Sequence, residues 1–382
     1  VVVDALRSSA WRQMSPRTLC RVLGFALLAA AFLISSRLFT DQQQVVVAVG
    51  RVPVAAPRPL ARPRRHMAWM LCGSSIPYMK QAQRLVKSVM LSQLTKLSPG
   101  NFDYTLWIFI DDAAEDAGVK SYINTLRPWM STHPGGPSVN VTFVNIRDME
   151  RKYGNNLHLF ARCASAQLYI PATFPPDIHE FMLMGADEVV VGDLERYWQD
   201  AKARGWDSSK VAALSEECVE PRGRCGWYNI WDTTHRFGTN GIHTGGSLIS
   251  VDNFKKYDLV GWIEKAVAKK GDKTWRLGDQ DLMNSYMSEN PSHLTILQCN
   301  VDVRTDSGCD ITRVPPLVLH GNRQWFVREG NWSFFAARID EIFEQWQLNR
   351  NFVISGSSLW EAVGEQARNG ILQTMVQPWG LS

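Results

Sequence analysis

The sequence predicts an α/β fold whose sheet is mostly parallel, and two observations lead to that prediction. Apolar runs rich in β-branched residues alternate with helical patterns between residues 67 and about 347, which is typical of α/β domains. This stretch of about 280 residues is long enough for one large core or two small ones. The sequence shows no internal repeat, so a repeat architecture is not expected.

Each predicted element follows from the local pattern of apolar residues. Strands are predicted where short β-branched runs meet turn residues, and helices where apolar residues recur every three or four positions. The predicted strands are 68–72, 104–110 and 139–144, with helices at 79–94 and near 119–130. A further segment, 159–169, continues the alternation before a turn at Pro175 and Pro176.

Residues 181–198 contain two apolar runs, which are separated by Gly185, Ala186 and Asp187. Both runs are bounded by turn residues and are predicted as buried strands, which places Asp187 at the end of a sheet. Because open α/β sheets bind ligands at their strand ends, Asp187 is a candidate binding residue. The alternative is that its carboxylate only caps the following turn.

The N-terminal region predicts a membrane anchor. Four arginines precede an uncharged run at 22–34. This run is shorter than the ~20 residues of a usual span, which leaves a cleaved signal peptide and an uncleaved anchor open. The flanking arginines, the thinner membranes of the early secretory pathway and the lack of a clear cleavage site favour an uncleaved type II anchor. The predicted organisation is a cytosolic tail (1–21), an anchor (22–36), a stem (37–66), a folded domain (67–347) and a C-terminal tail (348–382).

Charge is divided unevenly along the chain. Residues 1–66 contain ten arginines and two aspartates, a net charge of +8, whereas the whole chain carries +4, so residues 67–382 carry −4. The prolines and arginines of 38–66 predict an extended stem. The basic character therefore belongs to the anchor and the stem, which argues against nucleic-acid binding by the folded domain.

Six cysteines follow the predicted anchor, at positions 72, 163, 218, 225, 299 and 309. They form no C-x-x-C pair, so a structural zinc site is not predicted. An even number behind a membrane signal favours disulfides. The shortest loops would join Cys218 to Cys225 and Cys299 to Cys309, and buried free thiols are the alternative. The glycosylation sequons at Asn140 and Asn331 agree with a lumenal domain.

Two further motifs carry polar residues at predicted element ends. The motif LGDQDLMN at 277–284 places two aspartates around Gln280. In purely structural terms it is a helix start, with Asp279 at the positive end of the helix dipole. The motif LVLHGNR at 317–323 is a strand that ends on His320. A lone histidine more often makes a core hydrogen bond, yet an Asp and a His at two strand ends are ligands that Mn²⁺ accepts beside phosphate oxygens.

Taken in order, these segments resemble glycosyltransferase family 8, and in particular its glucoside xylosyltransferases. The resemblance spans roughly 66–331, and six motifs carry it: CASAQLYIP (163–171), GADEVVVGDLERYW (185–198), GWYN (226–229), GIHTG (241–245), GDQDLMN (278–284) and LHGNR (319–323). The resemblance implies a GT-A fold, which is a Rossmann-like domain with a mixed, mostly parallel sheet. It also implies transfer of a sugar from a UDP-sugar, with Mn²⁺ as cofactor and with retention of anomeric configuration.

The same resemblance implies a substrate and a location. Glucoside xylosyltransferases extend O-glucose on epidermal growth factor-like repeats, which implies UDP-xylose as the donor and a glycoprotein as the acceptor. With the predicted anchor, the enzyme would be a single-pass type II protein of the Golgi or endoplasmic reticulum membrane with a lumenal catalytic domain.

Carried over residue by residue, the resemblance implies a donor site. Asp187 matches the second acid of the family's D-x-D metal motif, and His320 matches the histidine that completes the metal site. Gln280 lies near the reacting sugar carbon in the family, with Asp279 and Asp281 positioning sugar hydroxyls. The nucleotide-sugar would border Cys72, Gly73, Ser74, Asp187, Gly321, Asn322 and Arg323, of which the last three would lie along the diphosphate.

Three residues depart from the family's pattern. Gly185 stands in place of the first acid of D-x-D, His243 in place of an asparagine, and Gln167 in place of an arginine near the donor. His243 is a further candidate metal ligand, and the missing carboxylate predicts weaker metal binding. On sequence grounds, Gly185→Asp is expected to tighten metal binding at little cost in stability. The alternative function is a catalytically weakened relative that binds a glycan or serves as a partner of an active transferase.

Overall fold

A computed structural model of the chain describes residues 62–94, 102–131, 137–154, 162–219, 236–270, 275–321, 325–327, 330–349 and 358–376. The predicted anchor, most of the stem and the motif at 226–229 lie outside these ranges, as do Asn322 and Arg323. None of the helices within these ranges is both long enough and apolar enough to cross a membrane.

The main sheet contains seven strands: β1 (Arg64–Leu71), β2 (Asp103–Ile110), β3 (Val139–Asn145), β4 (Glu180–Met184), β6 (Ala212–Ser215), β7 (Ser247–Ser250) and β8 (Leu294–Leu297). Their order is β3-β2-β1-β4-β7-β6-β8. Only β7 runs antiparallel to its neighbours β4 and β6, and the other pairs are parallel. The predicted α/β class with a mixed, mostly parallel sheet is confirmed. The stem was predicted to extend to residue 66, whereas the first strand begins at Arg64.

A second sheet is built from three short strands, β5 (Glu188–Val190), β9 (Val303–Arg304) and β10 (Val318–His320). The central strand β10 is antiparallel to β5 and parallel to β9. This pairing sets His320 opposite Glu188 and beside Arg304. The distant strand β5 and the nearby strand β9 therefore meet around the end of β10.

Helices cover both faces of the main sheet. In chain order they are α1 (Ile76–Leu94), α2 (Asp112–Asp116), α3 (Val119–Thr125), α4 (Ile146–Tyr153), α5 (Arg162–Gln167), α6 (Ile170–Thr173), α7 (Leu194–Ala203), α8 (Val251–Lys256), α9 (Leu259–Lys270), α10 (Asp279–Glu289), α11 (Asn331–Leu348), α12 (Leu359–Ala362) and α13 (Glu365–Val376). Side-chain caps begin several of them. Asp193 accepts the Glu195 N–H at the start of α7, and Ser250 accepts the Asn253 N–H at the start of α8.

The core has two apolar layers, one on each face of the main sheet. Along β1, Met67, Trp69 and Leu71 enter one layer, while Ala68 and Met70 enter the other, as the period of two in a strand requires. Strands buried on both faces read as continuous apolar runs, which is why β1 and β2 were recognisable in the sequence.

The C-terminal helices belong to the first of these layers. Residues 348–382 were predicted as a tail, yet Trp360 from α12 and Ile371 from α13 are buried in the same apolar layer as α1 and α11. The helical, partly apolar character of 358–376 was not recognised in the sequence. Residues 358–376 are therefore part of the folded domain.

Two disulfides are formed by cysteines within the described ranges. Cys299 is bonded to Cys309, which closes one of the two shortest loops considered in the sequence analysis, and Cys72 is bonded to Cys163, which ties the end of β1 to α5. Cys218 is also disulfide-bonded, and its predicted partner at 225 lies outside the described residues. The pairing of Cys72 was missed because its loop spans 91 residues of sequence.

Candidate functional site

The structure brings Asp187 and His320 together at the carboxyl end of β4. Asp187 Oδ1 lies 3.3 Å from His320 Nε2, although 133 residues separate them. Glu188 pairs directly with His320 across β5 and β10, so the two side chains lie on the same face. Glu188 Oε1 is 3.6 Å from His320 Nδ1. The two predicted metal ligands are therefore neighbours, and a second acid, which the sequence analysis missed, lies beside them.

Two more residues complete this group. Asp302, just before β9, places Oδ1 3.4 Å from His320 Nδ1 and Oδ2 2.7 Å from His243 Nδ1. Three possible ligand atoms lie within 4.8 Å of one another, one each from His243, Asp302 and His320. We call Asp187, Glu188, His243, Asp302 and His320 the strand-end cluster. Asp302 lies in none of the motifs that carry the family resemblance, and only the pairing of β9 with β10 places it here.

Four side chains of the strand-end cluster are buried, Asp187 is partly exposed, and charges within the cluster shift the pKa values of several members. Burial lowers the pKa of His320, but the Asp187 and Asp302 carboxylates outweigh burial and raise that pKa well above its usual value. Burial raises the pKa of Asp187 and of Asp302. The nearby His320 outweighs burial and lowers both pKa values, and His243 adds to this lowering at Asp302. Burial and then the Asp302 charge raise the pKa of Glu188 well above its usual value. Positive charge at the centre of this cluster therefore stabilises the ionised acids.

Several polar atoms of the strand-end cluster fit a bound cation. Within the described residues, Glu188 Oε2 is buried without a hydrogen-bond partner, and the Asp302 oxygens and His320 Nδ1 have only the contacts with one another, with His243 and with Glu188 given above. Unpaired buried polar atoms are rare and unfavourable. Here they converge, and nitrogen and carboxylate oxygen are suitable ligands for a divalent transition-metal ion. Asp187, His243, Asp302 and His320 would hold such an ion, which would supply a Lewis acid that stabilises negative charge on a bound group.

Glycines give the strand-end cluster its shape. A Cβ atom on Gly185 would lie 2.8 Å from Asp187 Oδ1 and 2.9 Å from Glu188 Oε1. Gly246, with φ of +48°, donates its N–H to Glu188 Oε1 at 3.1 Å. The space beside Gly185 is thus already filled by two carboxylates. An added side chain at Gly185 would therefore require these two carboxylates to shift, and the low cost expected of Gly185→Asp stays a prediction.

The motif GDQDLMN begins α10, as predicted. Asp279 is buried, and its Oδ2 accepts hydrogen bonds from Thr244 Oγ1 at 2.8 Å and from Gln167 Nε2 at 3.2 Å. Burial raises the pKa of Asp279 to about 7, and the Asp281 charge adds to this shift. Gln167, at the place of the family's arginine, therefore contacts Asp279 without supplying a positive charge. Asp281 Oδ2 accepts the Leu277 N–H at 2.9 Å, so it also holds the turn that starts α10.

A buried ion pair holds Gln280. Its Nε2 donates to Glu217 Oε2 at 2.9 Å, and the same carboxylate oxygen lies 2.5 Å from an Arg304 guanidinium nitrogen. Arg304 also donates to the Glu217 carbonyl at 2.7 Å, and in the β9–β10 pair it lies beside His320. Glu217 and Arg304 were not singled out in the sequence. The one available signal was an acidic pair directly after the apolar run of β6.

The loop before β7 joins the two halves of the site. His243 belongs to the strand-end cluster, and the next residue, Thr244, donates to Asp279. Gly245 follows, and its N–H donates to His243 Nδ1 at 3.1 Å. The candidate metal ligands and the DQD motif are therefore adjacent in space.

Among the residues predicted to border the nucleotide, those that the structure describes lie at the same edge of the sheet. Cys72, Gly73 and Ser74 follow β1, and the Gly73 N–H donates to the Asp111 carboxylate at 3.0 Å. Gly321 donates its N–H to the Asp187 carbonyl at 2.7 Å. A Cβ on Gly321 would lie 2.2 Å from the Phe326 ring, so only glycine fits there. The roles of these residues in nucleotide binding stay predictions.

Comparison with known proteins agrees with the motifs. Glucoside xylosyltransferase 1 of Mus musculus is 24% identical over 277 residues, which cover 68% of this chain and 63% of that protein. Glucoside xylosyltransferase 1 of Gallus gallus is 29% identical over 181 residues, which cover 43% of this chain and 41% of that protein. The chain thus spans less than two thirds of the length of these relatives. No protein-family profile matches the chain.

Solved structures of glycosyltransferases also resemble it. Mouse xyloside xylosyltransferase 1, in its apo form, matches with a TM-score of 0.49 and 14% identity, over 68% of this chain and 98% of that one. This likeness does not bear on activity. The sequence comparisons confirm that the chain resembles the glucoside xylosyltransferases of glycosyltransferase family 8, as its motifs predicted.

Proposed function

We propose that the protein is a retaining glycosyltransferase that moves xylose from UDP-xylose to a glucoside on a glycoprotein. One observation carries the proposal. The loop at 243–245 contributes His243 to the strand-end cluster and the Thr244 hydroxyl to Asp279, so a cation-binding group and the DQD motif flank one place. A nucleotide diphosphate-sugar needs both features. Its negatively charged diphosphate needs the cation, and its sugar hydroxyls need hydrogen-bond partners such as those of the DQD motif.

Each end of the site has a distinct task in this proposal. The strand-end cluster binds the diphosphate through a divalent cation, for which Mn²⁺ is the family's choice. Gln280 faces the sugar. Glu217 accepts a hydrogen bond from Gln280 Nε2, so Gln280 Oε1 is the atom left to contact the donor sugar. Oε1 accepts no hydrogen bond from the residues that the structure describes. An amide oxygen there stabilises the positive charge that develops on the anomeric carbon during transfer.

The sugar hydroxyls have a second partner in Asp279. With a pKa of about 7, its carboxyl exchanges a proton near neutral pH, so it donates or accepts a hydrogen bond as the substrate requires. Thr244 and Gln167 already orient its Oδ2. Asp279 therefore positions a hydroxyl and leaves the reacting carbon to Gln280.

Disulfides support a secretory location. Bonds from Cys72 to Cys163 and from Cys299 to Cys309 persist in oxidising compartments and are rare in the cytosol. The sequon residues Asn140 and Asn331 are both exposed, as glycan attachment requires. We therefore propose a lumenal domain in the endoplasmic reticulum or Golgi, attached by the anchor predicted at 22–36.

The test is a transfer assay with the purified protein, UDP-xylose and a β-glucoside acceptor. UDP-glucose serves as the competing donor, and EDTA removes divalent cations. We expect cation-dependent xylose transfer, with an α-xylosyl product identified by nuclear magnetic resonance. His320→Ala should abolish transfer, whereas the matched variant His179→Ala, at an exposed histidine paired with Asp252, should retain it. Binding of UDP without any transfer would favour the glycan-binding or partner alternative instead, and transfer of glucose would correct the donor.

A further inference from the structure

We infer that His243 and Asp302 replace the carboxylate that is missing at residue 185, and that the resulting two-histidine site favours Co²⁺ and Zn²⁺ over Mn²⁺ more strongly than the family's site would. The inference concerns the cation and stands whether or not a sugar is transferred. It rests on the placement of side chains in the strand-end cluster.

The first step is that an acid at residue 185 would have to displace two carboxylates. A Cβ there would lie under 3.0 Å from both the Asp187 and Glu188 carboxylates. Gly246 donates its N–H to Glu188 Oε1 and holds that side chain in place. The chain therefore cannot supply the missing ligand from residue 185 without rearranging the strand-end cluster.

The second step is that His243 and Asp302 lie on the other side of His320. The His243 and His320 rings have centroids 5.0 Å apart. Donor atoms of His243, Asp302 and His320 lie within 4.8 Å of one another. Small side-chain rotations would bring them within about 4.2 Å, the largest separation of two ligands that each lie about 2.1 Å from one ion. All three side chains are at least nine-tenths buried. One ion can therefore contact all three residues.

The third step concerns the atoms that face each other. His243 Nδ1 lies 2.7 Å from Asp302 Oδ2, and Asp302 Oδ1 lies 3.4 Å from His320 Nδ1. Each contact pairs an imidazole nitrogen with a carboxylate oxygen, and a divalent transition-metal ion binds both kinds of atom. The atoms that would be ligands therefore already face one another.

The fourth step is the choice of cation. Imidazole nitrogen suits zinc and other later first-row metals, whereas carboxylate and carbonyl oxygens suit manganese and magnesium. An asparagine at position 243, the residue that the family has there, would offer an amide oxygen. His243 therefore changes the ratio of Co²⁺ affinity to Mn²⁺ affinity, and His243→Asn should restore the lower ratio.

The test measures metal binding by calorimetry with the full-length protein, without nucleotide. We expect one Co²⁺ per chain, and His243→Asn should weaken Co²⁺ binding about tenfold or more, a loss typical of impaired metal sites, while Mn²⁺ affinity changes by less than about threefold. His179→Asn, the same substitution at an exposed histidine, is the control. Asp302→Asn should weaken the binding of both ions, because it removes a charged ligand. Equal Co²⁺ affinities of His243→Asn and His179→Asn would overturn the inference.

A second readout needs no variant and so does not depend on how a variant folds. In the Co²⁺-loaded protein, each coordinated imidazole contributes a strongly shifted, exchangeable N–H proton signal. We expect two such signals, one each from His243 and His320, and their disappearance in EDTA. A single signal would mean that His243 is not a ligand, and the inference would fail.

Discussion

Substitution of Gly185 tests the packing of the strand-end cluster directly. An added Cβ would lie 2.8 Å from Asp187 Oδ1 and 2.9 Å from Glu188 Oε1, so Gly185→Ala should lower the free energy of unfolding by about 1–3 kcal/mol, the usual effect of overpacking. Gly185→Asp adds a charge about 4 Å from the ionised Asp187, which is worth about 4 kcal/mol at an effective dielectric constant of 20. Glu188 adds little repulsion because its raised pKa favours the neutral form. We therefore expect the order of stability to be glycine, alanine, asparagine and then aspartate.

The assay is unfolding by guanidinium chloride, followed by circular dichroism at pH 7.5 in EDTA. Gly185→Asn is the matched control, because it nearly reproduces the shape of aspartate without the charge. Saturating Co²⁺ should reduce the gap between the aspartate and asparagine variants, since a cation neutralises the added acid. If Gly185→Ala is as stable as the parent, the space beside Gly185 is not occupied. If the aspartate and asparagine variants are equally stable in EDTA, Asp187 is not charged there.

Three further predictions concern other parts of the domain. Asp279 has a folded-state pKa of about 7 against an ordinary 3.8. At a pH between these two values, its carboxyl is protonated in the folded state and ionised in the unfolded state. Stability should therefore fall by about 4 kcal/mol as pH rises from about 4 to 7, and Asp279→Asn should remove that part of the slope in denaturation curves at several pH values. Glu217→Gln should reduce the unfolding free energy by about 3–5 kcal/mol, because it leaves the buried Arg304 guanidinium poorly compensated, and the double variant with Arg304→Met should recover most of this loss in urea unfolding. Replacing both Cys72 and Cys163 by serine should reduce stability by about 4.5 kcal/mol, the chain-entropy effect of a 91-residue loop, and reduced wild type, which also loses the Cys299–Cys309 bond, should show a larger decrease in thermal unfolding.

Local pattern was enough to predict the main elements. The strands at β1, β2 and β3 agree with the predicted runs to within a few residues, because strands buried on both faces are continuous apolar runs. The start of α10 was predicted from two acids and an apolar pair, which are features of its own first turns. The helices at 358–376 were missed, since short helices that are stabilised mainly by packing have weak local signals.

The residues of the candidate site also fall into those that a local motif indicates and those that only the fold brings together. The sequence alone marked Asp187, His320 and Gln280 as candidates, because each lies at the end or start of an element in a short motif that resembles the family's. Only the tertiary structure decided that Glu188 and Asp302 join them, since the pairing of β10 with β5 and β9 brings together residues more than a hundred positions apart. The crowding at Gly185 was likewise decided by side chains packed around it, which no local pattern encodes. Motifs record the chemistry that one segment carries, whereas the ligand set of a buried site depends on long-range strand pairing.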